Sequence, residues 1–214
     1  MSSKTETLLA HASRAPVIPV VTIQDARHAI PLARTLLEAG LPVIEVTLRS
    51  PAALDAIAAI AKAVPDAVIA AGTVLQPSQI AEAVDAGAKL IVTPGTPRSL
   101  AEALGGAPVP VMPGCATPSE AMMLSDLGFE VLKFFPAGVM GGLGWLKAVG
   151  APLAHLRFCP TGGIDAKSAS AYLAMPNVVC VGGSWMVPAD ALSAGDFETI
   201  ERLSREASAL LPRV

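Results

Sequence analysis

The stretch PVIEVTLRSPAALDAIAAIAKAVPDAVIAAGT, residues 42–73, decides the fold class. It opens on PVIEVTL (42–48), passes through the Ala- and Ile-rich SPAALDAIAAIAKAVP, and closes on a second apolar run, AVIAAGT (67–73). β-Branched residues suit an extended backbone, whereas Ala, Leu and Lys suit a helix. Ser50-Pro51 reads as an N-cap followed by a first-turn proline. Strand, helix and strand in so short a span is the grammar of a parallel sheet built from βα units.

The same grammar runs outward in both directions. Upstream lies VIPVV (17–21), followed by HAIPLARTLLEAG, with Gly40 placed to end a helix. Downstream come KLIVTPG (89–95), VPVMPG (109–114), EVLKFFPAG (130–138), LRFCPTGG (156–163) and VVCVGGS (178–184). PSQIAEAVDAGA and PSEAMMLSDLG each enter a helix through Pro-Ser and leave it at Gly, and Asp196 is placed to cap a final helix. Eight strands alternating with helices, at roughly 20 to 26 residues per unit, predict a closed (β/α)8 TIM barrel. It spans residues 1–214 as a single domain, with a short N-terminal helical extension and a C-terminal helix. A doubly wound open sheet would call for GxGxxG after its first strand, and VIPVVTIQDARHA has none.

Composition narrows the function. The net charge is −3 and aromatics make up 4%, with no basic run, so an extended phosphate track for nucleic acid is not expected. The chain is 52% hydrophobic, yet its apolar runs fall far short of the roughly 20 residues that cross a bilayer. MSSKTETLLAHASRAP does not read as a signal peptide, and a cytoplasmic protein is expected. Cys115, Cys159 and Cys180 are far apart and read as small buried hydrophobes. His11, His28 and His155 are equally scattered, and no metal site is expected.

One residue resists the pattern. Lys133 sits among Val131, Leu132, Phe134 and Phe135, and lysine is almost never fully buried without a partner. In a barrel, chemistry gathers where strands end and βα loops converge. There the chain places Glu45, Thr47 and Arg49, then Thr73, Lys133 and Thr161. Alternation lets Glu45, Thr47 and Arg49 share a face, as it does Lys133 and Phe135, and Glu45 can meet Lys133 across the axis. A structural salt bridge would also satisfy both charges, but apolar replacements of such pairs are often neutral or better, so stability explains the pair weakly. Lys62, Lys147 and Lys167 fall in helices or loops, Lys4 in the tail, and Lys89 opens its strand at the opposite end. An amine drawn out of water into an apolar site leaves more neutral nucleophile, which Schiff-base formation requires. A second signal is the pair of glycine-rich ends PTGGID (160–165) and VGGSWM (181–186), on the two strands that commonly hold phosphate in this architecture.

Taken together, EVTLRS (45–50), AGTV (71–74), LKFFPA (132–137), PTGGI (160–164) and GGSW (182–185) resemble the 2-keto-3-deoxy-6-phosphogluconate aldolases. These are class I aldolases that also include 4-hydroxy-2-oxoglutarate aldolase activity. The resemblance implies that Lys133 forms the Schiff base and Glu45 is the general acid/base. It implies that Arg49, Thr73 and Thr161 bind the carboxylate and pyruvoyl part, with Phe135 and Pro136 shaping the pocket. Gly162, Gly163, Gly182, Gly183 and Ser184 would hold the phosphate. It further implies a homotrimer that needs no metal or organic cofactor, cleaving the keto acid into pyruvate and glyceraldehyde 3-phosphate. Other readings stay open from the residues alone: a phosphate-binding isomerase or epimerase, the aldolase for the C4-epimeric galactonate substrate, and a non-catalytic phospho-ligand sensor.

Overall fold

The βα repeat of residues 42–73 folds as it reads, and so do its neighbours. In the computed structural model, which describes residues 3–210, the strands are β1 (Val17–Val21), β2 (Val43–Thr47), β3 (Val68–Gly72), β4 (Leu90–Val92) and β5 (Val111–Met112). They continue as β6 (Gly114–Cys115), β7 (Val131–Phe134), β8 (Arg157–Pro160) and β9 (Val181–Gly183). The helices are α1 (Ser3–Ala12), α2 (Ala29–Glu38), α3 (Ala53–Ala63), α4 (Ser78–Asp85), α5 (Arg98–Gly105), α6 (Pro118–Asp126), α7 (Gly142–Gly150), α8 (Ala169–Leu173), α9 (Ala189–Ala194) and α10 (Phe197–Ser208). Residues 1–2 and 211–214 of the expected domain lie outside the described residues.

Helix ends follow their local chemistry, with one exception. Gly40, at φ 88°, ends α2 as expected: its N–H reaches Leu37 O and that of Leu41 reaches Leu36 O. Asp196 caps α10 by accepting from Thr199 N at 3.0 Å, and Thr117 with Glu120 forms a reciprocal cap on α6. Ser50 does not cap α3. Its hydroxyl donates to Ile23 O instead, tying the end of β2 to the end of β1, and the helix begins at Ala53.

The closed eight-stranded barrel does not form. Among the described residues nine strands make two parallel sheets, six-stranded in the order β5-β4-β3-β2-β1-β9 and three-stranded in the order β6-β7-β8. The expected strand at 109–114 is split by Pro113. A proline has no N–H for a ladder, and the residues on its two sides turn to different neighbours: Met112 pairs with Val92 of β4, Gly114 with Lys133 of β7. The other gap lies between β8 and β9. Only two isolated bridges cross it, Phe158 to Val178 and Thr161 to Gly182. These advance three residues on one strand and four on the other, so an extra residue breaks the ladder.

Alternation within the strands sorts side chains onto two faces. Ile44 and Val46 of β2, Leu132 and Phe134 of β7, and Phe158 of β8 pack against Leu32, Leu36, Ile57 and Ile60 and the rest of the helical layer. The opposite face carries Ile18, Val43, Val68, Leu90, Met112, Val131, Cys159 and Cys180, with Leu8 and Ala12 of α1 joining it. Glu45 and Lys133 follow Val43 and Val131 by two residues on that face.

Candidate active site

Glu45 lies in β2, in register with Val20 and Ala70; Lys133 lies in β7, in register with Gly114 and Cys159. The first belongs to the large sheet and the second to the small one. Lys133 Nζ donates to Glu45 Oε1 at 2.8 Å and Oε2 at 3.1 Å. Both side chains are about 5% exposed, so each charge has lost its water and found the other. The Phe135 ring, its centroid 5.6 Å from Nζ, forms one wall of the setting. Beneath, the rings of Phe134 and Trp145 stack at 4.1 Å, and Phe158 meets Trp145 edge-on, which stiffens the lysine strand from its helical side.

Two glycines give the polar groups their room. A Cβ at Gly72 would collide with the Glu45 carboxyl group, and one at Gly182 would collide with the Thr161 side chain. Thr73, directly after Gly72, has φ 60°, a left-handed backbone that costs a β-branched residue about 1–3 kcal/mol. Such strain persists where the surroundings demand it, here at the end of the strand beside the glutamate's. Thr47, inward as alternation predicts, donates to Val21 O at 3.1 Å and accepts from Thr22 Oγ1 at 2.8 Å.

The remaining sequence candidates gather around this pair, with one at the periphery. Thr161 is buried just beyond β8, with its hydroxyl against Gly182, and its carbonyl accepts from Ala137 N. Gly162 and Gly163, at φ 91° and 75°, turn the chain there and receive Gly138 N on Gly162 O. The bridge from Thr161 to Gly182 sets this turn beside Gly182, Gly183 and the exposed Ser184. Phe135 and Pro136 are half-buried and joined by a cis peptide. Arg49 lies beyond the end of β2, exposed, with no hydrogen bond or ion pair among the described residues.

The cysteines are free and buried. Burial pushes the Cys115 thiol up to about 12. Cys159, beside Lys133 in register, is held below the usual thiol range, first by a hydrogen bond with Cys180, which is itself pushed up by the same bond. The sequence singled out neither Gly72 nor Thr22, and it marked Cys159 only as a buried hydrophobe, not as a neighbour of Lys133. The Gly of AGTV was a visible signal for the first, while the other two depend on which strands lie side by side.

Residues 9–203 match the family described as "Aldolase: KDPG and KHG aldolase". The chain is 48% identical over 192 residues to the "KHG/KDPG aldolase" of Escherichia coli (strain K12), covering 90% of each chain. It is 45% identical over 195 residues to the "2-dehydro-3-deoxy-phosphogluconate aldolase" of Zymomonas mobilis, covering 91% of this chain and 92% of that one. Among solved structures, the KDPG aldolase of Legionella pneumophila, with pyruvate captured as a covalent carbinolamine intermediate, superposes with a TM-score of 0.92 at 41% identity. It covers 94% of this chain and 98% of that one.

Proposed function

Since the chain belongs to the KDPG and KHG aldolase family, we propose that Lys133 is its Schiff-base nucleophile and Glu45 the group that moves its protons. The enzyme is a carbon–carbon lyase that cleaves 2-keto-3-deoxy-6-phosphogluconate into pyruvate and glyceraldehyde 3-phosphate. One observation carries the assignment of residues: a buried lysine whose amine lies 2.8 Å from a buried carboxylate.

The steps follow from that distance. A proton passed from Lys133 Nζ to Glu45 leaves a neutral amine, which attacks the C2 ketone to give a carbinolamine. Glu45 returns a proton to the carbinolamine oxygen, water departs, and the resulting iminium draws electrons from the neighbouring bond. Glu45 then takes the C4 hydroxyl proton, the C3–C4 bond breaks, and glyceraldehyde 3-phosphate leaves. The enamine is protonated at C3 and hydrolysed to pyruvate, freeing Lys133. Arg49, exposed and unpaired among the described residues, closes on the substrate carboxylate, with Thr73 and Thr161 beside it. Phe135 and Pro136 wall the pocket. Backbone N–H groups of the Gly162–Gly163 turn and of Gly182–Gly183 at the end of β9, with the Ser184 hydroxyl, hold the phosphate.

The same site takes unphosphorylated 4-hydroxy-2-oxoglutarate, the second substrate in the family's name, without using the glycine turns. The enzyme works as a cytoplasmic homotrimer without a cofactor. Exposed Leu75, Met122 and Val139 support burial against other copies, and three free thiols support a reducing compartment. Among the described residues no helix is long and apolar enough to cross a membrane.

The test is pyruvate release from both substrates by wild type and Ser184→Ala. Loss of one phosphate hydrogen bond is expected to raise KM for the phosphorylated substrate by about 10-fold and leave the unphosphorylated one unchanged. An equal loss on both substrates would remove Ser184 from a phosphate site.

A further inference from the structure

The gap at Pro113 is closed by side chains. Gly114 N donates to Thr93 Oγ1 at 2.9 Å, Thr96 Oγ1 donates to Gly114 O at 2.9 Å, and the two hydroxyls are 2.7 Å apart. A hydroxyl has one proton to give. Thr96 gives its proton to Gly114 O, so Thr93 must give its own to Thr96. The result is a closed ring in one direction: Gly114 N–H to Thr93, Thr93 to Thr96, Thr96 to Gly114 C=O. Thr93 is fully buried and Thr96 nearly so, and each hydroxyl donates once and accepts once, which strengthens every bond of the ring.

The ring grips the chain at the neighbour of the lysine. Gly114 is in register with Lys133, Lys133 N donates to Pro113 O at 2.9 Å, and Phe135 N donates to Cys115 O at 3.0 Å. The residues on each side of Gly114 therefore carry β7 on each side of its amine-bearing residue. The approach is close: a Cβ on Gly114 would strike the backbone of Thr93 and Pro94. Thr93 follows β4 of the large sheet, which also carries Glu45 on β2. Thr93 and Thr96 thus form a joint, on the β4–β6 side, between the sheet that holds the carboxylate and the sheet that holds the amine.

From this geometry, and resting on the reading of Lys133 as nucleophile, we infer that Thr93 and Thr96 are positioning residues that set the Lys133–Glu45 separation through Gly114. They touch no reacting atom. They act by fixing where β6, and through it β7, stands relative to β2, and a misplaced amine lowers the chemical rate rather than substrate affinity.

The experiment compares wild type, Thr93→Val, Thr93→Ser, Thr96→Val and the Thr93→Val/Thr96→Val double variant. It reads kcat and KM for cleavage, the rate at which pyruvate and borohydride give a mass adduct, and the melting temperature. Thr93→Val keeps the shape and removes the hydroxyl, and should lower kcat and the trapping rate together by about 10-fold with KM within about 2-fold. Thr93→Ser keeps the hydroxyl and should recover most of the rate. Thr96→Val opens the same ring at its other member and should match Thr93→Val, with the double variant little worse than either. It also stands in if Thr93→Val does not fold. Wild-type kcat and trapping in a folded valine variant would overturn the inference. So would a lowered melting temperature with unchanged kcat, or Thr93→Ser as slow as Thr93→Val. Failure of wild type itself to be trapped would instead overturn the reading of Lys133, and the inference with it.

Discussion

The two sheets differ in how they are held. In the large one, β2 pairs with β3 along its whole length, Val43 to Thr47 against Val68 to Gly72, and Glu45 rides on a continuous ladder. In the small one, β7 also pairs along its whole length with β8, Val131 to Phe134 against Arg157 to Pro160, but its other neighbour, β6, is a two-residue strand beyond a proline, where β2 has the five-residue β1. The carboxylate stands on the firm side and the amine on the side held by a seam. Their ion pair spans the two sheets, and both its members are buried. Among the described residues four other pairs, Asp25–Arg27, Glu102–Arg98, Glu206–Arg202 and Glu201–Arg205, lie exposed on the surface, where such contacts contribute little. The contrast supports the proposed roles of the buried pair as proton carrier and nucleophile, since a desolvated pair is a poor source of stability.

The largest way to break the comparison is to remove the carboxylate from the firm side. Glu45→Gln leaves the amine buried without its counter-charge, so both activity and stability should fall. Cleavage should slow by roughly 10²–10⁴-fold, and unfolding should become easier by about 3–5 kcal/mol. Steady-state kinetics and denaturant titration check the two losses separately, and a variant as stable and active as wild type would reduce the pair to a surface-like contact.

A smaller test leaves both charges in place and spoils their geometry. Gly72→Ala sets a methyl group against the Glu45 carboxyl and should displace it, with kcat lower by about 100-fold and stability lower by about 1–3 kcal/mol. Unchanged kcat would mean that the carboxylate's place above Gly72 has no bearing on turnover.

Much of this was legible from residues alone. The βα alternation, the glycine ends and the odd lysine in EVLKFFPAG all follow from local preference and from the dislike of buried charge. What was not legible belongs to relations between strands. Pro113 was in view, but nothing local says that Met112 will pair with one neighbour and Gly114 with another. Two threonines three residues apart, Thr93 and Thr96, look like ordinary strand-end residues until Gly114 comes between them. Ser50 carried a sound capping signature, yet a nearby carbonyl of Ile23 claimed its hydroxyl. Thr73 gave no sign of its left-handed backbone, because β-branched residues argue against it and only the surrounding site enforces it.

The central claim is that the buried amine of Lys133 is the nucleophile. The most direct measurement is peptide mass mapping after incubation with pyruvate and borohydride, on wild type and on Lys133→Ala. A reduced pyruvyl adduct is expected on the peptide carrying Lys133, and none on the variant. An adduct on another lysine, or none on a folded wild-type protein that binds its substrate, would contradict that claim.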